Sequence, residues 1–458
     1  MLAENVVPCR RCKVEPSVVE SRTEPFCKSC FLHFIQGKQY KQLDGFKVLY
    51  PAYRIPIPPP SPRILLPLSL GASSLALLDM LIILIEKQRK AHRGRQGFEL
   101  IVLIIEENEE SEKKEQYQAV ANDLQEKYSG LCNIHSIPIS EILKLSEDVL
   151  LKLHDNHITT IEATGTHPSS LDIKSIFSKF PSNTSRADAL LILRNRLINA
   201  FAVSQKVQYI AWGHNQTRLA EEVICLTVKG RGNQVAQKLK PLSPDAEDFW
   251  TKEFIKTHKF SENDITHLYP LRDIMSSEIT EYLKFRGVES LIKTNLNEYN
   301  GLSTSSASVI TKAMTIDQLI TRYFVDVQAN FPSVISTVVR TGVKLADPLA
   351  NEDLPLCLMC EQKVTENTVS WVRKITVNDS ADLETDEEKA KAKEFFKLYP
   401  TMLQSPEETA KPEAKVCYSC LVSIRGAQEG EVSWTKRSTA DQVLADFVLS
   451  DGEDEGDK

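Results

Sequence analysis

Eight of the ten cysteines fall in four Cys-x-x-Cys pairs: Cys9/Cys12, Cys27/Cys30, Cys357/Cys360 and Cys417/Cys420. Two thiolates at this spacing reach one ion from a short turn, so two such pairs supply the closed tetrahedral set of a structural zinc site. The first two pairs are separated by 14 residues, one short of the usual interval for a four-cysteine site. Arg10, Arg11, Lys13 and Lys28 offset the excess negative charge of a tetrathiolate there. A redox pair of the thioredoxin kind needs a surrounding βαβ pattern, which this segment lacks. In the second set a long insertion divides the pairs, so a shared ion rests more on residue type than on spacing. The sequence leaves open whether the pairs close within each module or across the two. Two zinc sites are expected, Cys9, Cys12, Cys27 and Cys30 in one, Cys357, Cys360, Cys417 and Cys420 in the other. Cys132 and Cys225 stand alone on apolar segments and read as core residues. His154 and His157 lie at a helical spacing of three and, without a third ligand, read as a surface pair.

A second kind of chemistry is suggested by Ser69-Leu70-Gly71-Ala72-Ser73-Ser74, between an apolar run and a helical pattern. Backbone N–H groups at such a helix start form an anion site. Alone, the segment reads rather as a plain strand-to-helix turn with a serine cap. Its companion is Gly213-His214-Asn215-Gln216-Thr217-Arg218-Leu219-Ala220-Glu221, which follows another strand. Both would lie at carboxyl ends of strands, where open α/β sheets bind ligands. Ser69, Gly71, Ser73, Ser74, Gly213, His214 and Asn215 are therefore candidate contacts for an anionic ligand. Lys229, Arg231, Lys238 and Lys240 follow the second motif and are candidate RNA phosphate contacts, or else a solvated loop. Lys87, Arg89, Lys90, Arg93 and Arg95 form a weaker basic cluster that also suits a helix C-terminus. Phe26, Phe31 and Phe34 either touch RNA or form the small core of the first cysteine module.

These groups need elements to hold them. Arg63–Leu70 reads as a buried strand, Gly71–Ser74 as a tight turn, Leu75–Lys90 as a helix and Phe98–Glu107 as a second buried strand. That βαβ order predicts a parallel sheet. A helix over Glu115–Lys127, a strand over Asn133–Ile139, a helix over Asp188–Ser204 and the strand Val207–Trp212 extend it. The fold class is α/β, a doubly wound parallel sheet flanked by N- and C-terminal four-cysteine modules. The expected divisions are a cysteine module over 1–45, a stiff proline-rich linker over 46–62, an α/β domain over 63–275 and a helical extension over 276–350. A second cysteine module follows over 351–440, with a charged insertion at 378–415, and then an acidic tail over 441–458.

With 42% apolar and 26% charged residues, the chain has the balance of a soluble globular protein. The apolar run Leu75–Ile85 is too short to span a bilayer, and Met1–Pro8 lacks a signal pattern, so a location in the cytosol or nucleus is expected. A net charge of −7 confines any RNA contact to local basic patches.

The loop and the Gly-His-Asn motif together resemble the PP-loop ATP-pyrophosphatases of the tRNA-thiolation type, which carry Ser-Gly-Gly-x-Asp-Ser and Gly-His-Asn-x-Asp-Asp-x-x-Glu. Tyr269-Pro270-Leu271-Arg272 and the following Ser276–Gly287 are similar to the family's later segments. With the cysteine pairs, the resemblance points to its degenerate branch, the cytoplasmic tRNA 2-thiolation protein 2 family. Leu70 stands where that pattern has glycine, Ser73 where it has aspartate, and Thr217 and Arg218 where it has two aspartates; Pro181–Leu197 lacks the mid-domain Cys-x-x-Cys of active members. The resemblance narrows the location to the cytoplasm and implies a weakly catalytic or non-catalytic subunit, with ATP not expected on it. It would act with a catalytic PP-loop paralogue as a heterodimer, and with tRNA and a thiocarboxylated ubiquitin-related sulfur carrier. The implied reaction is 2-thiolation of the wobble uridine of lysine, glutamate and glutamine tRNAs. Two rival expectations are an active tRNA-adenylating pyrophosphatase with altered ligands and a zinc-bearing interaction protein with a vestigial nucleotide fold.

Overall fold

The structure is a computed structural model that describes residues 7–44, 46, 61–108, 110–144, 147–154, 157–163, 172–239, 265–293, 296, 314–345, 354–364, 368, 385–398 and 416–436. Lys240, the acidic tail and most of the proline-rich linker lie outside them. The chain forms two compact units, Met1–Leu145 with Leu193–Pro348 and Ser438–Lys458, and Ser146–Ile192 with Leu349–Arg437.

The first unit opens with β1 (Val19–Ser21), β2 (Glu24–Phe26), α1 (Lys28–Leu43), β3 (Arg63–Pro67), α2 (Ala72–Ala91), β4 (Glu99–Glu106), α3 (Ser111–Lys127), β5 (Asn133–Pro138) and the short α4 (Glu141–Lys144). The second unit interposes β6 (Glu147–His154), β7 (His157–Ala163) and α5 (Ile173–Ser178), and α6 (Asn183–Ser204) starts in the second unit and ends in the first. The first unit resumes with β8 (Tyr209–Ala211), α7 (Gln216–Val228), α8 (Val235–Leu239), β9 (Thr266–Leu268), α9 (Ser276–Arg286), α10 (Ile316–Asn330) and α11 (Pro332–Lys344). The second unit closes with α12 (Asp386–Leu398), α13 (Tyr418–Ile424) and β10 (Glu431–Lys436).

The expected parallel sheet is present. Its five strands run β5-β4-β3-β8-β9, every neighbouring pair parallel. Residues 100–106 of β4 are buried without alternation, as a strand covered on both faces requires. The chain moves outward from β3 through β4 to β5, then returns to the other side of β3 with β8, so strand order reverses between β3 and β8. That reversal is where open α/β sheets form their ligand crevice. Helix α2 begins at Ala72 with Gly71 as its N-cap, so the predicted tight turn is mostly the first turn of the helix.

Buried Asp79 of α2 accepts from Tyr282 Oη at 2.7 Å and from Arg286 Nε and Nη2 at 2.8 and 3.1 Å. These bonds clamp α9 against α2 and satisfy a charge that could not otherwise be buried. The N-terminal cysteine module contributes Phe26, Phe31, Ile35 and Leu43 to the same apolar core as α2, β4 and α9.

The second unit holds an antiparallel sheet, β10-β6-β7, with Trp434 fully buried and its ring edge-on to Phe180 at 6.0 Å. His154 and His157 are backbone register partners in the antiparallel pairing of β6 with β7. Their spacing of three belongs to a hairpin, which corrects the helical reading.

Candidate functional site

The two cysteine modules repeat one construction. Pro8 bridges Pro16 and Leu356 bridges Lys363, each antiparallel. Inside these, Cys9 N donates to Glu15 O at 2.9 Å and Cys357 N to Gln362 O at 2.7 Å, while Lys13 N and Glu361 N donate back to Cys9 O and Cys357 O. The residue after each second cysteine is left-handed, Lys13 at φ 60° and Glu361 at φ 62°. The other pair begins a helix in both cases, with Cys27 the N-cap of α1 and Cys417 that of α13.

In each module all four Sγ atoms lie within 4.8 Å of one another. Cys12 and Cys27 Sγ are 3.8 Å apart and Cys360 and Cys417 Sγ 3.6 Å. Four sulfurs at ~2.3 Å from one tetrahedral ion stand about 3.8 Å from each other, so both sets fit a single bound ion and each closes within its own module. A four-iron cubane binds each thiolate to a different iron and spreads the sulfurs wider. Burial opposes ionisation of Cys9, but the N–H groups of Cys12, Cys27 and Arg11 outweigh it and bring the thiol down to about 6. Bonding to Cys27 pushes Cys30 up to about 12. In the second set, bonds from Cys360, Cys417 and Cys420 hold Cys357 far below the usual thiol range. Such uneven sharing of protons among four clustered sulfurs is what a cation replaces. Cys132 and Cys225 are buried, and burial pushes them up to about 11 and about 12.

The loop after β3 and the loop after β8 meet at the strand-order reversal. A Cβ on Gly213 would sit 2.8 Å from Ser74 Cα, so glycine is what lets the two backbones touch. Asn215 caps α7, its Oδ1 accepting from Arg218 N at 2.8 Å. Its Nδ2 donates to Ser73 Oγ at 2.8 Å and to Ser276 Oγ at 2.9 Å. Ser74 Oγ donates to Gly71 O and lies 3.1 Å from Ser69 Oγ. The candidate residues Ser69, Gly71, Ser73, Ser74, Gly213 and Asn215 are thus brought together, bonded largely to one another. Leu70 is left-handed at φ 56° and fully buried, a conformation that costs a non-glycine residue about 1–2 kcal/mol. Its carbonyl accepts from Lys293 N at 3.0 Å.

The two positions that differ in the second motif are structural joints. Thr217 Oγ1 donates to Gln328 Oε1 at 2.9 Å and accepts from Ser276 N at 3.2 Å, tying α7 to α10 and α9. Arg218 Nη1 donates to Glu221 Oε2 at 3.0 Å, and Thr321 Oγ1 donates to the same oxygen at 3.1 Å. Glu221 therefore spends its charge inside the protein.

His214 stands beside an aromatic group that motif reading passed over. Trp212 Nε1 donates to His267 Nδ1 at 2.8 Å, with the two ring planes only 9° apart. His214 lies 5.7 Å from Trp212 and 5.9 Å from Tyr269, ring centroid to centroid. Burial, opposed for His214 by Glu222 and reinforced by Arg218 and Lys238, lowers His214 to about 4; burial and Lys238 lower His267 to about 4. Both imidazoles are neutral near pH 7. The available signal was Trp212 immediately before the Gly213 motif and Tyr269 at the head of the Tyr-Pro-Leu-Arg segment; His267 sits on a segment with no motif of its own.

The basic candidates divide. Lys229 Nζ is 2.5 Å from Asp317 Oδ2, with side-chain exposures of 8% and 19%, and Arg231 is buried. Lys238 on α8 is partly exposed. Lys240 is outside the described residues. Ser182 and Ser185, at Cys-x-x-Cys spacing in the cysteine-free stretch, bond to each other at 2.9 Å near the start of α6.

The family model described as cytoplasmic tRNA 2-thiolation protein 2 matches residues 315–422. Proteins of that name from Debaryomyces hansenii and Yarrowia lipolytica are 33% and 34% identical to this chain, covering 99% and 96% of it and 98% and 99% of their own lengths. The Saccharomyces cerevisiae protein of that name (strain RM11-1a) is 32% identical over 97% of this chain and all of its own. Among solved structures, the U34-tRNA thiolase NcsA from Methanococcus maripaludis with its [4Fe-4S] cluster aligns over 82% of this chain and 99% of its own, at 17% identity and a TM-score of 0.49.

Proposed function

The chain belongs to the cytoplasmic tRNA 2-thiolation protein 2 family, and from that premise we propose that it is a non-catalytic subunit required for tRNA thiolation in the cytoplasm. Its substrate is the wobble uridine of lysine, glutamate and glutamine tRNAs. It acts as a heterodimer with a catalytic PP-loop paralogue that receives sulfur from a thiocarboxylated ubiquitin-related carrier. Zinc in both cysteine modules holds their folds together.

The observation that carries the non-catalytic reading is the self-occupied loop. A phosphate-binding loop offers unsatisfied N–H groups and a nearby cation to an incoming nucleotide. Here the Leu70 side chain is buried at the position of closest backbone approach, and Asn215 bridges Ser73 and Ser276. Thr217 and Arg218 bond protein partners where the active pattern has carboxylates for a metal. An active pyrophosphatase with altered ligands would need these groups open to substrate. The fold that remains positions the partner and the tRNA.

The test is reconstitution. The purified chain alone should release no pyrophosphate from ATP with unmodified tRNA, and adding the catalytic paralogue should give thiolated tRNA, read as retardation in a mercury-containing gel. Pyrophosphate release by the chain alone would revive the active-enzyme reading. Full thiolation in cells lacking the chain would leave only an interaction role.

A further inference from the structure

We propose that Trp212 and His267 together form a stacking platform for a nucleobase, placed beside the strand-order reversal and flanked by Lys238 for the attached phosphate. The proposal deepens the tRNA reading above and rests on it for the source of the base.

Three observations carry it. The first is planarity: a Trp212 Nε1 to His267 Nδ1 bond of 2.8 Å between rings inclined by 9° makes the two rings nearly coplanar and joined edge to edge. A hydrogen-bonded indole–imidazole plane is wide enough to carry a flat base, and stacking of this kind accepts any base because each has a π face. The second is position. Trp212 follows β8 directly and His267 lies within β9, so the plane sits at the carboxyl edge of the sheet, and Trp212, His267 and His214 are all only partly buried. The third is charge. Lys238 is the cation that acts on both His214 and His267, whereas Arg218 and the Glu222 carboxylate, 3.5 Å from His214 Nδ1, act on His214; the platform itself, Trp212 with His267, therefore offers neutral rings for stacking with Lys238 as the nearby cation. The bond from Trp212 also fixes the tautomer: His267 accepts at Nδ1 and therefore carries its proton on Nε2.

A nucleobase can arrive on RNA or on a free nucleotide, and the experiment separates them. Trp212 fluorescence is read in the full chain as the difference between wild type and Trp212→Phe, during titration with tRNA, a short single-stranded oligouridylate or AMP. Quenching by tRNA and oligouridylate at much lower concentration than by AMP is expected, since a polynucleotide adds phosphate contacts that a single nucleotide lacks. Trp212→Ala should weaken tRNA binding by about 5- to 150-fold, the range that corresponds to one stacked base, with the salt slope unchanged. Lys238→Ala should lower that slope by about 0.7–0.9. Trp212→Phe retains a ring, so it should bind better than Trp212→Ala, which separates lost stacking from lost folding. Quenching by AMP alone would overturn the RNA source. Unaltered tRNA affinity in a folded Trp212→Ala protein would overturn the platform while leaving the thiolation role intact; failure of that role would show instead as full thiolation without the chain.

Discussion

Phe31 of α1 meets Phe285 of α9 edge to face, ring centroids 5.7 Å apart. The contact joins the N-terminal cysteine module to the helix that follows β9, and in the same core lie Phe26, Ile35, Tyr282 and Leu283. A proline-rich linker alone would let such a module fold independently; a shared core does not. Removing the metal by chelation, or replacing Cys27 with serine, should therefore loosen α1 and α9 together. Amide exchange read by mass spectrometry should rise in 28–43 and in 276–286. Faster exchange confined to the module would show that the interface contributes little.

Metal content follows from the sulfur geometry. Elemental analysis of anaerobically purified chain should give two zinc ions, and Cys360→Ser should give one, because each set closes within its own module. A visible iron–sulfur absorption band, or loss of both ions in the single variant, would contradict this. Acid should release both ions, since each thiolate must be deprotonated to bind.

Glu278 secures the same interface electrostatically. It lies 2.9 Å from Lys38 Nζ and 3.3 Å from Arg22 Nε, and accepts from Ser21 Oγ at 2.7 Å and Met275 N at 2.8 Å. Burial works against its charge, but Lys38, the Met275 amide, Ser21 and Arg22 together hold its pKa below the ordinary 4.5. A depressed carboxyl stabilises the fold above its unfolded pKa, and that contribution disappears as pH falls through the folded value. Glu278→Gln should cost about 3 kcal/mol at neutral pH, as breaking a buried pair does, and the difference from wild type should shrink below about pH 4.5. Urea melts across pH 3–7 measure it; a constant difference would assign the effect to packing.

Leu70 tests the strained loop. Leu70→Gly removes the left-handed strain, worth about 1–2 kcal/mol, but empties a fully buried site, where loss of a leucine side chain costs about 2–5 kcal/mol. The net expectation is destabilisation of about 1–3 kcal/mol in a urea melt. Nucleotide binding should not return, since Thr217 and Arg218 remain tied to Gln328 and Glu221. Tight ATP binding by the single variant would mean that Leu70 alone closed the site.

The sheet and both motif loops were legible because their signals are local. Long apolar runs mark β3 and β4, and the glycines at 71 and 213 sit where the chain turns from strand to helix. The antiparallel sheet was not, because β10 pairs with β6 across more than half of the chain's length. The likeness of the two cysteine modules was hidden too: 14 residues separate the pairs in one and 56 in the other, and the common feature is a backbone angle at Lys13 and Glu361. The Trp212–His267 plane joins residues 55 positions apart, a pairing that no single motif encodes.

Lys229 shows the same limit in a form that can be measured. A lysine just past the end of a helix reads as solvated and available to phosphate, yet its partner Asp317 lies 88 residues away in sequence and 2.5 Å away in space. The pair joins the end of α7 to the start of α10, with Lys229 only 8% exposed. Asp317 is held below its ordinary pKa, since Lys229, with further help from Arg218 and Cys225, outweighs burial. Lys229→Met leaves that carboxylate buried without its main counter-charge, a loss of about 3–5 kcal/mol. The variant should lower the urea midpoint sharply while keeping the wild-type salt slope for tRNA, and a second change, Asp317→Asn, should restore part of the stability. Lys238→Ala, with its partly exposed side chain, should do the reverse and change the slope more than the midpoint. A flattened salt slope in a stable Lys229→Met protein would return Lys229 to the RNA surface.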